Sequence, residues 1–218
     1  MGIFSCAVFF IPNLSFFLYP VETIDLYYAH VDDRGTEFDE VLEAFTRLIN
    51  SGKVRFIGAS NIPTWRLEQA HWVSKMKNLA EYCCAQQRHT YLQPRSGTKF
   101  ENQVVANDDL LGYCKTRGLT LLAYSPLLKG AYVRADRPFY SQYQGTDNEK
   151  RLAMLKVIAD ETGATITQVV LAWMLHSNPQ VLPVFSASTK EQLKENLESL
   201  QIKLRADQFN RLQNIEIN

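Results

Sequence analysis

From Thr23 onward the chain alternates short apolar runs with longer segments whose apolar residues recur at helical spacing, the pattern of a parallel sheet covered by helices. Parallel strands cannot be joined by a tight turn, so each apolar run needs a crossover, usually a helix. IDLYYA at 24–29 is the first run. Phe38, Val41, Leu42, Phe45, Leu48 and Ile49 then mark one face of a helix that Gly52 ends, and VRFIGA at 54–59 is the next strand. Leu67, Ala70, Val73 and Met76 define a helix over 64–77, and a strand is expected near 82–86. A polar loop carrying Arg95, Gly97 and Lys99 leads to a helix through Leu110, Leu111 and Cys114, stopped by Gly118. LTLLAY at 119–124 is the clearest buried strand. The segment 125–147 holds Pro126, Gly130, Pro138, Tyr140, Tyr143 and Gly145 without a regular element of its own, as functional lids often do. Helices follow near 149–162 and 167–177, then a strand at 181–185, a helix from Lys190 to Leu200, and a last one marked by Leu204, Phe209, Leu212 and Ile215.

Five such strands fit part of a doubly wound sheet or part of an eight-stranded barrel, and periodicity does not separate the two. The GxGxxG fingerprint of dinucleotide-binding doubly wound folds is missing, because Gly52 and Gly58 lack its spacing. In a barrel, polar residues at the carboxyl ends of strands share one rim, which would gather His30, Ser60, Asn61, Gln86 and Tyr124.

Composition narrows the function classes. A chain of 218 residues, 46% of them hydrophobic, can bury a sizeable core and is most economically one domain. Lys+Arg and Asp+Glu both number 23, so there is no net field to draw in nucleic acid or an acidic membrane, and neither partner is expected. Cys6, Cys83, Cys84 and Cys114 form no CxxC pair and show no regular spacing with the histidines, which argues against zinc and against a disulfide framework. A reducing, cytoplasmic setting is the expectation, with Cys83 and Cys84 as strand neighbours facing opposite ways. Residues 1–21 read as an atypical hydrophobic leader, uncharged through Pro20. It lacks a positive amino-terminal region, is broken by Pro12 and Asn13, and has no small-residue cleavage site before Val21, so secretion and membrane anchoring are disfavoured. A wrong translation start or read-through of non-coding sequence would produce such a leader.

The rim residues lie in motifs that resemble the aldo-keto reductase family. IDLYYAH resembles its fourth barrel strand, GKVRFIGASN at 52–61 its fifth with a Ser-Asn pair, and LLAYSPLLKG at 121–130 its seventh with a ring-stacking tyrosine. ETGATITQVVLAWML continues the likeness, which runs from about residue 22 to the end. The resemblance implies that 22–218 is a partial domain of this family, an incomplete (β/α)8 TIM barrel of α/β class with about five parallel strands retained. It further implies an NAD(P)-dependent oxidoreductase that reduces an aldehyde or ketone by reversible hydride transfer, with a small carbonyl compound as substrate and NADP slightly ahead of NAD.

By the same resemblance, Ser60, Asn61 and Gln86 hold the nicotinamide amide, Tyr124 stacks on its ring, and His30 hydrogen-bonds the substrate carbonyl. Ser125, Leu127, Leu128 and Gly130 line the pyrophosphate bridge, and Ser188 and Thr189 serve the phosphate end at the start of a helix. Glu195 and Asn196 match adenine-side residues. Gln192 falls where many relatives carry an arginine for the additional ribose phosphate, and a glutamine lacks that charged fork, although Lys190 stands nearby in the sequence. The residue types suit these roles, because an amide offers donor and acceptor to a carboxamide and an aromatic ring fixes one nicotinamide face. Without the family, Asn61 also reads as a cap of the next helix, Tyr124 as a strand end, His30 as a hydrogen-bonded rim imidazole and Lys190 as an exposed first-turn lysine.

The family also supplies an aspartate and a tyrosine near its second strand and a lysine at its third, and none has an equivalent in this sequence. The tyrosine is the expected proton donor, and losing such a group commonly costs about 10²–10⁴-fold in rate. The isolated chain is therefore expected to be inactive or severely impaired, with a catalytically inactive nucleotide-binding or regulatory remnant as the alternative, so whether it is itself an enzyme stays open. Open barrel edges would also favour instability or self-association. Tyr27, Tyr28, Trp65 and the aromatics of 125–147 permit an apolar carbonyl substrate.

Overall fold

A computed structural model describes residues 22–215, so the hydrophobic leader lies outside the described residues. Strands β1 (Ile24–Ala29), β2 (Val54–Ser60), β3 (Tyr82–Arg88), β4 (Thr120–Tyr124) and β5 (Val181–Val184) form one parallel sheet. Their order in the sheet is their order in the chain, with β1 and β5 at the two edges. The expected five-stranded, unclosed α/β arrangement is what the described residues adopt. Helices α1 (Phe38–Asn50), α2 (Thr64–Lys77), α3 (Asp108–Arg117), α4 (Thr146–Thr162), α5 (Ile166–His176), α6 (Lys190–Glu198) and α7 (Ala206–Gln213) alternate with or follow the strands. Among the described residues no helix is long and apolar enough to cross a membrane. The chain divides into two compact units, one running to Gln87 and including Asn102–Leu121, the other made of Arg88–Glu101 and Leu122–Asn218.

In the first unit β1 and β2 pair Ile24 with Val54 and Tyr28 with Gly58, and β2 and β3 pair Ala59 with Ala85 and Ser60 with Gln86. Helix α1 buries Phe38, Leu42 and Phe45, and the Phe45 ring meets Tyr27 and Tyr82 edge-on at 5.8 and 6.3 Å. A fully buried leucine such as Leu42 contributes about 1.5–3 kcal/mol relative to exposure. Gly58 lies where a Cβ would come within 2.6 Å of the Tyr28 ring and 2.8 Å of the Cys84 sulfur, so β2 passes beneath both side chains only because position 58 has none. The Cys84 thiol donates to the Tyr28 hydroxyl at 3.3 Å, and its neighbour Cys83 is exposed on the other face, as strand alternation requires.

Helix α2 departs from the expected face. Met76, assigned inward by spacing, is 83% exposed, and the buried positions are Arg66, Leu67, Ala70 and Ser74. Arg66 can be buried because its guanidinium pairs with Asp32 at 2.9 Å and lies 4.2 Å from the centre of the Phe38 ring. Helix α3 begins where the Asn107 side chain accepts from Leu110 N at 3.0 Å, and ends at Gly118, whose φ of 65° is the left-handed conformation that glycine adopts without a Cβ penalty.

In the second unit α5 is buried from Thr167 to Met174, opening on a capping box in which Thr165 and Gln168 satisfy each other's backbone N–H groups. Trp173 stacks on His89 at 5.5 Å and meets Tyr91 edge-on at 5.2 Å. The Tyr91 hydroxyl donates to Leu212 O at 3.0 Å and so ties down the end of α7. The segment 125–147 carries two single 3₁₀ turns, Leu128–Gly130 and Ser141–Tyr143, and is pinned from beneath. Thr90 gives its hydroxyl hydrogen to Pro126 O at 2.7 Å and therefore accepts from the Tyr132 hydroxyl at 2.7 Å, which in turn accepts from Leu92 N at 3.1 Å. Arg88 Nε donates to the Tyr143 hydroxyl at 3.0 Å, with its guanidinium 4.8 Å from the centre of the Phe100 ring. With Leu128, Tyr132 and Tyr143 buried, this connection is a packed wall.

Candidate active site

At the carboxyl ends of β1, β2 and β3 the first unit gathers a compact amide cluster. Asn61 follows Ser60 with a φ of 54°, a left-handed conformation that asparagine tolerates and that turns the chain off the strand. Its Nδ2 donates to His30 O and to Ser60 Oγ, both at 3.1 Å, while its Oδ1 accepts from Val104 N at 3.1 Å. Its main-chain N–H goes to Gln87 Oε1 at 2.9 Å, and Gln87 Nε2 donates to Ile62 O at 2.7 Å. Asn61 therefore braces strand ends and does not cap α2, where Pro63 holds the cap position. Both Nδ2 hydrogens have protein acceptors, which leaves at most an Oδ1 lone pair for a carboxamide. Gln87 escaped sequence reasoning, although the doubled glutamine at 86–87 was a visible signal.

Gln86 differs from these neighbours. It is 5% exposed, its Cα is in register with that of Ser60, and its buried Nε2 has no hydrogen-bond partner among the described residues. A buried, unsatisfied amide donor costs about 1–3 kcal/mol, a cost that an acceptor on a bound molecule would remove. Ser60 is 1% exposed beside it, whereas His30 is exposed at the end of β1.

The second unit carries the remaining expected residues. Tyr124 ends β4, its carbonyl accepting from His89 N at 3.3 Å, and burial pushes its phenol up to about 12. It stays protonated across the physiological range. The next six residues include four in left-handed conformations: Ser125 at φ 54°, Leu128 at 47°, Lys129 at 57° and Gly130 at 89°. For the three that are not glycine this costs about 1–2 kcal/mol each, and such strain persists where surroundings over-determine it, often at ligand sites. The resulting turn is one wall of a cavity of about 550 Å³. Ser125, Leu127, Gly130, Ser188, Gln192, Glu195 and Asn196 all line it.

Thr189 does not line this cavity: its hydroxyl accepts from Gln192 N at 3.2 Å and caps α6. Gln192 reaches back to accept from Ser188 N at 2.9 Å, and Glu195 accepts from the Thr165 hydroxyl at 2.7 Å. Three cations that sequence reasoning passed over, Lys129, Arg134 and Arg137, also line the cavity. Their signal was the basic content of a Pro/Gly-bearing segment. Arg134 is paired with Asp136, whereas Arg137 Nη1 donates to Lys129 O at 3.0 Å.

The model of the aldo/keto reductase family matches residues 19–217. Norsolorinic acid reductase stcV of Emericella nidulans is 31% identical over 189 residues, covering 83% of this chain and 46% of the relative. Versiconal hemiacetal acetate reductase of Aspergillus parasiticus is 25% identical over 87% of this chain and 56% of its own length. An aryl-alcohol dehydrogenase of Pestalotiopsis microspora is 27% identical over 84% and 47%. The chain thus spans about half the length of these curated relatives. Among solved structures, a thermostable aldo-keto reductase crystallised with the inhibitor epalrestat superposes with a TM-score of 0.70 at 29% identity, over 90% of this chain and 61% of that one. A putative 2,5-diketo-D-gluconic acid reductase B shares the fold with a TM-score of 0.70 at 21% identity, over 92% of this chain and 59% of its own. On these matches, the chain belongs to the aldo/keto reductase family of oxidoreductases acting on carbonyl compounds.

Proposed function

We propose that these residues hold a nicotinamide dinucleotide and orient a carbonyl compound for reduction, and that the 218-residue chain by itself turns over substrate weakly or not at all. One observation carries the reading: the cavity of the second unit is lined by seven residues that the family pattern assigns to the cofactor. The orphaned Nε2 of Gln86 fits the same group, since a carboxamide oxygen is the acceptor it lacks.

The bound nicotinamide would supply the hydride. Gln86 would donate to the carboxamide oxygen, and Asn61 would keep Ser60 and the His30 backbone in place. Tyr124 presents a ring that remains neutral below its pKa of about 12 and gives a nicotinamide face a flat, uncharged surface. His30, exposed at its strand end, offers an imidazole to a carbonyl oxygen. The tyrosine acid with its lysine and aspartate has no equivalent in this sequence, so proton delivery is the weak step, about 10²–10⁴-fold slower than with a positioned acid. One relative's name, aryl-alcohol dehydrogenase, supports an aromatic carbonyl substrate, such as an aryl aldehyde. A reducing, cytoplasmic setting suits a chain whose Cys83, Cys84 and Cys114 form no disulfide. Edge strands β1 and β5 give self-association a route, measurable by sedimentation at rising concentration.

The test is fluorescence titration of the chain with NADPH and NADH, alongside NADPH oxidation with an aryl aldehyde. Binding that Tyr124→Ala weakens, with slow or no turnover, supports the reading. A wild-type chain that folds yet binds neither nucleotide refutes it, and turnover at ordinary enzymatic rates refutes the impairment.

A further inference from the structure

Resting on the cofactor reading above, we propose that Arg137, in the wall that follows β4, supplies the positive charge for the ribose phosphate that distinguishes NADP from NAD, in place of a cation on α6.

A phosphate monoester dianion brought into a cavity needs a cation or several directed donors. Helix α6 provides no cation here. Gln192 is neutral and its Oε1 is committed to Ser188 N at 2.9 Å, while Lys190 and Lys194 do not line the cavity. The positive lining comes from Lys129, Arg134 and Arg137 on the segment after β4, against one lining carboxylate among the described residues, Glu195. Arg134 is already offset by Asp136, which accepts from its Nε at 3.0 Å and its Nη2 at 2.5 Å. Arg137 makes no ion pair among the described residues, Asp136 acting on it only at longer range, and its exposed guanidinium makes one bond, to Lys129 O at 3.0 Å. Its other N–H groups keep the fork geometry that suits a phosphate. The left-handed conformation of Lys129, at φ 57°, sets the direction of the carbonyl that holds Arg137.

Both cofactors carry the pyrophosphate and only one carries the extra phosphate, so paired titrations separate the two sources of anion. The wild-type chain and its Arg137→Ala variant are titrated with NADPH and NADH by nicotinamide fluorescence, with circular dichroism to verify the fold. Arg137→Ala is expected to weaken NADPH by about tenfold or more and NADH by less than about threefold, the scale of a lost hydrogen bond to a charged group. Arg134→Ala, whose charge Asp136 already offsets, is expected to weaken NADPH by less than about threefold. Adding Gln192→Arg to Arg137→Ala is expected to restore NADPH binding, since it returns a cation to the same cavity. Equal losses for the two nucleotides would make Arg137 a pyrophosphate ligand and overturn the proposal, as would undiminished NADPH binding. A wild-type chain that binds neither nucleotide would instead sink the cofactor reading, and this inference with it.

Discussion

The Asn61 side-chain amide donates to the main-chain carbonyl of His30 at 3.1 Å, so the residue that follows β2 holds the end of β1. Its other bonds, to Ser60 Oγ and from Val104 N, make one side chain the tie for three segments of the first unit. Asn61→Ala removes all three bonds and places a Cβ-bearing residue without a compensating side chain at φ 54°. A loss of about 2–4 kcal/mol in unfolding free energy is expected. Asn61→Gly keeps the backbone conformation and should lose about 1 kcal/mol less. Urea unfolding measures both, and an alanine variant within about 0.5 kcal/mol of wild type would contradict the bracing role.

The buried pair of Arg66 and Asp32, each side chain under a tenth exposed, makes a second prediction. Removing Asp32 strands the buried guanidinium, so Asp32→Leu alone should cost about 3–5 kcal/mol, whereas Arg66→Met leaves Asp32 with Arg34 at 3.6 Å and should cost less. The double variant should cost clearly less than the sum. Additive losses in a double-mutant cycle would mean that the two groups are not coupled.

Gln86 sets stability against binding. Gln86→Met keeps the volume and removes the orphaned Nε2, so the chain without nucleotide should unfold at the same temperature or a few degrees higher. The same variant should weaken nicotinamide nucleotides by about tenfold. A lower melting temperature together with unchanged binding would show that Gln86 serves packing alone.

Burial pushes the Cys114 thiol from 9.0 up to about 11. As pH rises past 9.0 the unfolded chain releases this proton before the folded one does. The stability contributed by the neutral thiol is therefore complete below pH 9.0 and is lost as pH climbs through about 11. Urea midpoints at pH 8, 9, 10 and 11 should decline more steeply for the native chain than for Cys114→Ala. Parallel profiles would mean that the thiol ionises as easily folded as unfolded.

Much of this architecture can be read along the chain because a buried parallel strand needs a continuous apolar run and a covering helix needs a periodic one. IDLYYA matches β1 residue for residue, and 64–77 matches α2 in its bounds. The face of α2 was harder, since periodicity treats Arg66 as polar and Met76 as apolar, whereas burial follows the partner that Asp32 provides from 34 positions away. In the same way, Ser60, Asn61 and Gln86 are visible as polar residues closing apolar strands. The commitment of the Asn61 amide to Val104, 43 positions on, is not. Lys129 and Arg137 belong to the cavity because consecutive left-handed residues curl the chain there, and a sequence shows such turns plainly only where glycine makes them.

Gly58 constrains the order in which this chain could accept change. A methyl group at 58 would collide with the Tyr28 ring on one neighbouring strand and the Cys84 sulfur on the other. Shrinking only one of them leaves the other clash, and it also breaks the hydrogen bond that joins them. Both must therefore be replaced before position 58 can vary without strain. These three positions, on three different strands, are free to drift only as a set, and descendants that keep Tyr28 and Cys84 should keep the glycine between them.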